Sequence, residues 1–146
     1  MNQGTILIVD DNEDVLFALN LLLKPHFRKV KVSTTPDRIA QFMESDDPDV
    51  ILLDMNFSRD ASSGQEGMEV LHDILRRDAE AVVVMMTAYS DMSKAINAIK
   101  AGATDFVAKP WENEKLIATL TAAVKLRQAR REKASLQKQM EGMAES

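Results

Sequence analysis

The chain has 146 residues, of which 45% are hydrophobic and 28% charged, with no cysteine and a formal net charge of −5. This length suits one domain that buries roughly two-thirds of the surface its unfolded chain would expose. Without cysteine there is no disulfide framework and no thiolate chemistry, so no cysteine sulfur can hold a metal ion. No apolar run approaches the ~20 residues needed to cross a bilayer, and no secretory signal is visible before the first strand, so we expect a cytoplasmic protein without a membrane span.

The charge is unevenly distributed along the chain. From Lys125 onward six basic residues accompany three acidic ones, so the tail carries about +3 and the remainder about −8 of the net −5. An acidic body is a poor surface for nucleic acid, and the tail is too weakly basic to provide one by itself.

Five short apolar runs, each bounded by polar or turn residues, predict five β-strands. In chain order they are TILIVD, KVKVST, DVILLDM, AVVVMMTA and DFVAKP. The segments between and after them have helical spacing, over residues 15–23, 38–43, 68–75, 94–99 and from 114 onward. Because the first, third and fourth runs are almost continuously apolar, they suit central parallel strands with both faces covered. The pattern predicts an α/β fold with a doubly wound, five-stranded parallel sheet.

Local signals agree with these element boundaries. Pro36 after Thr35 is typical of a first helical turn, Ser90 or Asp91 can cap the fourth helix, and Gly102 lies where that helix should end. The segment NFSRDASSGQEG between the third strand and third helix is longer than a common βα loop. Long loops beside strand ends often carry function.

The last predicted helix outruns the domain. A three–four spacing of weakly apolar positions continues past Lys125 through Leu126, Ala129, Lys133, Leu136, Met140 and Met143. Two interpretations stay open: a solvated, fraying tail, or a helix that dimerises or links to a domain missing from this chain. We therefore divide the chain into a domain over residues 1–126 and a helical tail over 127–146.

The predicted strand ends gather polar side chains at one edge of the sheet, where open parallel sheets bind ligands. These side chains are Asp10 and Asp11 after strand one, Asp54 at strand three, Thr87 at strand four and Lys109 at strand five. Adjacent carboxylates repel each other. Since a hard cation with oxygen ligands would offset that repulsion, the sequence predicts a Mg²⁺ site formed by the three aspartates.

The same cluster predicts phosphoryl transfer. Lys109 would pair with the carboxylates and neutralise a phosphoryl group on Asp54, while Thr87 can donate a hydrogen bond to its oxygens. A carboxylate would be the nucleophile. Each residue alone could be a helix cap or turn residue, but their joint occurrence at four strand ends favours a site.

The sequence resembles the receiver domain of two-component response regulators over about residues 5–128. The resemblance rests on ILIVDDNEDV, ILLDMNF, VVVMMTAYS and DFVAKPW, in the order and spacing of that family. It implies a flavodoxin-like (βα)₅ fold and a signalling phosphoacceptor rather than a conventional enzyme. It also implies that Asp54 receives phosphate from a sensor histidine kinase.

The resemblance also implies a role for each site residue. The implied metal ligands are Asp10, Asp11, Asp54 and the backbone carbonyl of Asn56. The implied phosphate-binding residues are Thr87, Ala88 and Lys109, and the implied switch pair is Thr87 with Tyr89.

In this family, phosphorylation changes the face made by helix four, strand five and helix five, here about residues 91–125, which is often a homodimer interface. Trp111 lies on this face, and we keep both ordinary packing and an interface role open for it. Two features depart from most receivers: Ser58 replaces a proline, and Gly67 comes late, so the loop carries an insertion.

The long loop and the tail VKLRQARREKASLQKQ are most similar to the NtrC-like subgroup. The next domain in that subgroup is an AAA+ ATPase acting on sigma-54 polymerase. This chain contains no P-loop and no recognition-helix domain, so DNA contact would require a domain absent from it.

Two other classes remain as alternatives. A haloacid-dehalogenase-like phosphatase also uses a strand-end Asp with Mg²⁺, but it needs an aspartate two residues later, where this chain has Asn12 or Asn56. A pseudo-receiver that only binds proteins would not require the complete set of phosphorylation residues. A dinucleotide site is excluded because the first βα turn is acidic rather than glycine-rich.

Overall fold

The structure is a computed structural model that describes residues 3–55 and 65–145. Strands and helices alternate along these residues. In chain order they are β1 (Thr5–Val9), α1 (Glu13–Leu23), β2 (Lys29–Ser33), α2 (Ile39–Ser45), β3 (Val50–Asp54), α3 (Gln65–Arg77), β4 (Val83–Ala88), α4 (Met92–Lys100), β5 (Asp105–Lys109) and α5 (Asn113–Glu145). Single 3₁₀ turns at Pro36–Arg38 and Tyr89–Asp91 precede α2 and α4.

The five strands form one parallel sheet in the order β2-β1-β3-β4-β5. This is the flavodoxin-like order, and it confirms the predicted doubly wound fold. Because all strands run the same way, their carboxyl ends meet at one edge, here the carboxyl edge, and their amino ends at the opposite, amino edge. The order reverses at β1, so the ends of β1 and β3 border the crevice where such sheets bind ligands.

Two hydrophobic clusters cover the two faces of the sheet. Alternate residues of a strand point to opposite faces, so Leu52 packs with α1 and α5 while Leu53 packs with α2, α3 and α4. Every residue of β1 and β3 is buried. Burial on both faces explains why these runs are continuously apolar instead of alternating.

Most differences from the predicted elements are at helix ends. Helix α1 begins two residues early because the Asn12 side chain accepts hydrogen bonds from the backbone N–H groups of Asp14 and Val15, at 2.9 and 3.3 Å. Gly102 follows α4 with a φ of +117°, as expected for a helix-ending glycine. Asp91 occupies the N-cap position of α4, but its side chain makes no capping hydrogen bond and instead pairs with Lys94 at 3.7 Å.

The long segment after β3 was singled out by the sequence, but residues 56–64, including Asn56 and Ser58, lie outside the described residues. Helix α5 extends well past the sheet, which confirms the predicted C-terminal extension. Among the described helices, none combines the length and the apolar character needed to span a bilayer.

Candidate functional site

Three carboxylates converge at the carboxyl edge of the sheet. Strands β1 and β3 are neighbours, with Val9 opposite Leu53, so the next residues, Asp10 and Asp54, emerge side by side. One oxygen each of Asp10, Asp11 and Asp54 lies within 4.8 Å of the others, a spacing that can hold one metal ion. Asp10 and Asp54 are 1% and 5% exposed, whereas Asp11 is exposed to solvent. The aspartates predicted as metal ligands are therefore brought together.

Lys109 reaches this cluster from the end of β5. Its Nζ lies 2.8 Å from Asp10 Oδ2 and 3.3 Å from Asp54 Oδ1. Burial by itself would lower the pKa of Lys109, but the hydrogen bond to Asp10 and the charge of Asp54 outweigh it, so the pKa lies above its ordinary value. One ammonium group is thus set among three carboxylates, which leaves the cluster negatively charged and able to accept a further cation.

Thr87 brings an unused donor to the same edge. Asp54 is paired with Met86 in the sheet, so Thr87 lies one residue beyond that pair. The residue is fully buried, and its Oγ1 has no hydrogen-bond partner among the described residues. Since an unpaired buried hydroxyl costs about 1–3 kcal/mol, its position here favours a ligand that brings an acceptor oxygen.

Gly67 determines how closely α3 approaches the end of β3. A Cβ at this position would lie 2.6 Å from the carbonyl oxygen of Met55 and 2.8 Å from its Cα. Only a residue without a side chain allows this backbone contact, directly after Asp54. Gly67 lies further along the chain than the matching glycine of most receivers, and it thus allows α3 to pack beside the acidic cluster.

The residues of the predicted switch face line a groove beside the site. Tyr89 is 73% exposed, and with Met92, Trp111 and Lys115 it borders a groove of about 350 Å³. Trp111 packs partly against the core and donates its indole N–H to Asn113 Oδ1 at 3.1 Å. Ala88 ends β4 opposite Lys109. The groove is therefore next to the site but separate from the carboxylates.

One surface near the site was missed by the sequence reasoning. Helix α1 begins just after Asp11 and carries Phe17 and Leu21, which are 68% and 60% exposed. Their i, i+4 spacing puts them on one side of the helix. The same spacing is typical of core residues, so the sequence contained no signal that distinguished this exposed pair from buried ones.

Fold and site together define an open parallel α/β protein with an acidic, cation-compatible cluster at its carboxyl edge. The chain matches the response regulator receiver domain family over residues 6–121. The chain therefore belongs to that family, and the predicted resemblance is confirmed.

Individual relatives are similar in sequence and structure. An NtrX-like response regulator of Rickettsia bellii is 28% identical over 131 residues, covering 90% of this chain and 27% of the relative. The transcriptional regulator NtrC of Escherichia coli is 27% identical over 124 residues, covering 85% of this chain and 25% of the relative. The chain thus spans about a quarter of these curated relatives, which agree with the predicted NtrC-like subgroup.

Solved structures agree with these sequence matches. The N-terminal signal receiver domain of a Bacteroides fragilis response regulator is 45% identical, with a TM-score of 0.76, and the match covers 85% of this chain and 98% of that one. NtrX from Brucella abortus has a TM-score of 0.81 at 25% identity, and the match covers 94% of this chain and 30% of that one.

Proposed function

We propose that this chain accepts a phosphoryl group on Asp54 from a sensor histidine kinase and thereby controls an output domain outside this chain. The observation that carries the proposal is the meeting of three groups at one edge of the sheet. A buried carboxylate, Asp54, lies 3.3 Å from the Lys109 ammonium and is accompanied by the Thr87 hydroxyl, which has no hydrogen-bond partner within residues 3–55 and 65–145. A nucleophile, a fixed positive charge and a free donor are what transfer of a phosphoryl group to a carboxylate requires.

The transfer step assigns one task to each of these residues. An Asp54 carboxylate oxygen attacks phosphorus, a P–O bond forms, and the P–N bond to the kinase histidine breaks, leaving its electron pair on the imidazole. Lys109 compensates the negative charge of the phosphoryl oxygens. Thr87 donates its hydroxyl hydrogen to one of them, which gives a partner to a buried hydroxyl that has none in the part of the chain that the structure describes.

The acidic cluster fits Mg²⁺. Carboxylate oxygens of Asp10, Asp11 and Asp54 are hard ligands close enough to share one ion, and the resemblance adds the backbone carbonyl of Asn56. Bound there, Mg²⁺ would supply positive charge that reduces the repulsion between the carboxylates and the incoming phosphoryl group. The resemblance likewise assigns Ala88 to the phosphate-binding set.

The surface beside the acidic cluster favours a protein, rather than a small molecule, as the phosphoryl donor. The exposed apolar pair Phe17 and Leu21 lies on the helix that starts directly after the acidic residues. An exposed apolar pair is suited to a protein surface and is of no use to a small phosphate ester. A histidine kinase docked on α1 would present its phosphohistidine near Asp54. We infer that this transfer of the phosphoryl group from the kinase takes place in the cytoplasm.

Phosphorylation then alters the neighbouring face. The phosphoryl oxygens would draw Thr87 towards Asp54, which opens space for the exposed ring of Tyr89 to turn inward. The face affected is that of α4, β5 and α5, together with the groove beside Trp111. We propose that this face, with or without the α5 extension, pairs two copies of the receiver.

The domain organisation follows the NtrC-like relatives. We propose a receiver over residues 1–126 and a helical linker or dimerisation tail over 127–146, which leads to a transcription-activating output domain. NtrC of Escherichia coli is named a DNA-binding transcriptional regulator. Any contact of this protein with DNA would be made by that further domain.

The decisive experiment is intact mass after incubation with acetyl phosphate, with and without Mg²⁺, on wild type and Asp54→Asn. We expect one phosphoryl group on wild type with metal and none on the variant or without metal. Loss of the adduct in Asp11→Asn but not in Asp14→Asn, an exposed first-turn residue of α1, would assign the metal to the cluster. An adduct on Asp54→Asn would refute the nucleophile.

A second assay separates the protein donor from the small one. Phe17→Ala should leave the reaction with acetyl phosphate unchanged and slow transfer from a phosphorylated kinase about 10-fold, which corresponds to one lost interface contact. Equal rates from the kinase for both proteins would contradict docking on α1.

A further inference from the structure

The extension of α5 carries three arginines on one side of the helix. Arg127, Arg130 and Arg131 are spaced i, i+3 and i+4, so their side chains project in similar directions. They face the amino edge of the sheet, the edge opposite the phosphorylation site. Two loops meet them there: the α2–β3 loop over residues 46–49 and the α3–β4 loop over residues 78–82.

The α3–β4 loop holds two of the arginines. Arg127 contacts Asp78 Oδ2 at 2.6 Å and donates to the carbonyl oxygen of Glu80 at 2.8 Å. The Arg127 side chain is only 10% exposed. Arg130 donates to the same carbonyl at 3.2 Å and lies 3.5 Å from the Glu80 carboxylate, in a more exposed position.

The α2–β3 loop holds the third arginine and connects it to the start of the sheet. Arg131 pairs with the Asp49 carboxylate, lies 3.1 Å from Asp47 Oδ1 and donates to the Asp47 carbonyl at 3.0 Å. Asp49 is 7% exposed and also accepts the backbone N–H of Thr5 at 2.7 Å. One carboxylate thus joins the helical extension to the first residue of β1 and to the entrance of β3.

We propose that these contacts form an arginine latch: Arg127, Arg130 and Arg131 of α5 held by Asp47, Asp49, Asp78 and Glu80. The latch makes the helix through Arg131 part of the folded receiver, which moves the proposed boundary between receiver and tail from residue 126 to residue 131. It fixes the direction in which the remaining helix leaves the domain. This inference does not depend on phosphoryl transfer, because the latch lies at the other edge of the sheet.

The latch also fixes the rotation of the helix about its axis. Leu136 follows Arg127 by nine residues, which at 100° per residue places it half a turn away. Leu136 and Met140 are 53% and 69% exposed and lie on one side, opposite the arginines. The latched helix therefore turns this apolar pair away from the receiver, to where a second helix can reach it.

Two ion pairs of the latch, Arg127 with Asp78 and Arg131 with Asp49, should contribute most of the free energy that holds the helix on the receiver. Removing one partner of a buried ion pair leaves an uncompensated charge and is strongly destabilising. In two of the pairs one side chain is buried and its partner is about a third exposed: Arg127 (10% exposed) with Asp78 (33%), and Asp49 (9%) with Arg131 (34%). Losing the partner would leave that buried charge uncompensated. Arg130 and Glu80, whose side chains are 33% and 64% exposed, form a pair in which neither side chain is buried, and that pair contributes little. Arg127 and Arg131 are thus the positioning residues of the latch.

The test measures the direction of the helix in the full chain. Because the chain has no cysteine, Lys100→Cys with Gln139→Cys places two spin labels, one at the exposed end of α4 and one on the extension. Double electron–electron resonance then gives the distribution of distances between the two labels. We expect a single narrow distribution in the parent and at least a twofold broader one after Arg127→Gln with Arg131→Gln.

Several comparisons keep the result interpretable. Arg76→Gln with Lys133→Gln removes the same charge from exposed positions and should leave the width unchanged. Arg127→Lys keeps a donor and a charge, and should restore most of the narrow distribution relative to Arg127→Gln. Acetyl phosphate should phosphorylate all variants alike.

If the double variant does not fold, Arg131→Gln alone, at a 34% exposed side chain, should still broaden the distribution. A width that stays at the parent value in the latch variants would overturn the proposal.

Discussion

The two edges of the sheet use the same kinds of charged residues to opposite effect. At the carboxyl edge, three carboxylates surround one ammonium group, and a buried hydroxyl has no partner among the described residues. At the amino edge, three guanidinium groups face four acidic residues, and backbone carbonyls accept further N–H groups. The first cluster has two more negative than positive charges and the second has one more, while each cluster has one buried donor without a partner among the described residues, the Thr87 hydroxyl and the Arg127 Nε. The difference teaches that uncompensated charge, more than the presence of charge, distinguishes a site for a ligand from a structural contact.

The largest expected effect is at the carboxyl edge. Asp10→Ala removes a proposed metal ligand and the main partner of Lys109, so phosphorylation by acetyl phosphate with Mg²⁺ should slow by about 100-fold or more. The rate is followed by intact mass over time. If the edges differ as argued, Asp49→Asn at the amino edge should leave this rate unchanged. A 100-fold loss in both variants would show that the assay reports general damage to the fold.

The next-largest effect is expected at the amino edge. Asp49→Asn removes the charge that holds Arg131 and that strengthens the bond to the Thr5 N–H, so we expect a loss of about 2 kcal/mol in the free energy of unfolding, measured by urea denaturation. The matched control is Asp46→Asn, three residues earlier, whose carboxylate pairs with Lys29 at the exposed surface. It should unfold at nearly the same urea concentration as wild type. Equal losses in the two variants would mean that the latch is no stronger than a surface ion pair.

A smaller effect compares two buried hydroxyls. Thr87 at the carboxyl edge and Thr104 just before β5 both have an Oγ1 without a hydrogen-bond partner among the described residues. Replacing either by Val removes the cost of the unpaired group and should stabilise the unphosphorylated protein by about 1 kcal/mol. Only Thr87→Val should weaken stabilisation by beryllofluoride with Mg²⁺, a phosphoryl mimic, in thermal unfolding. If Thr104→Val weakened it equally, the hydroxyl at Thr87 would have no special role.

Much of the carboxyl edge was predictable from sequence because strand ends are local. Each apolar run ends at a polar residue, and parallel strands bring their ends together, so Asp10, Asp54 and Lys109 could be placed at one edge before the structure was known. Burial on both faces of the sheet also made the central strands readable as continuous apolar runs. The fold and the position of the candidate site were therefore accessible without coordinates.

The amino edge was not predictable because its contacts join distant segments. Arg131 and Asp49 are separated by 82 residues, and nothing in the tail sequence indicates that its arginines turn back to the domain. The same three–four spacing would serve a solvated helix equally well. Gly67 is a similar case, since only the structure reveals the Met55 backbone that a side chain would strike.

The smallest expected effect concerns the pH dependence of stability. The pKa of Lys109 is raised, because the hydrogen bond to Asp10 and the charge of Asp54 outweigh the lowering by burial. A raised pKa contributes stability that is fully present below the unfolded value, about 10.4, and that is lost as the pH rises through the folded value. Wild type should therefore lose more stability than Lys109→Gln between about pH 10 and the folded pKa, and the two should respond alike from pH 6 to 9.

Urea midpoints of both proteins across this range measure the effect. Lys138→Gln, on the exposed end of α5, is the control for general alkaline unfolding. A difference between wild type and Lys109→Gln that shrinks above pH 10 is the expected result, because the deprotonated amine no longer offsets the carboxylates. A difference that stays constant to pH 12 would mean that Lys109 stabilises the edge by packing alone. The Lys109 ammonium would then not stabilise the excess negative charge that distinguishes the carboxyl edge from the amino edge.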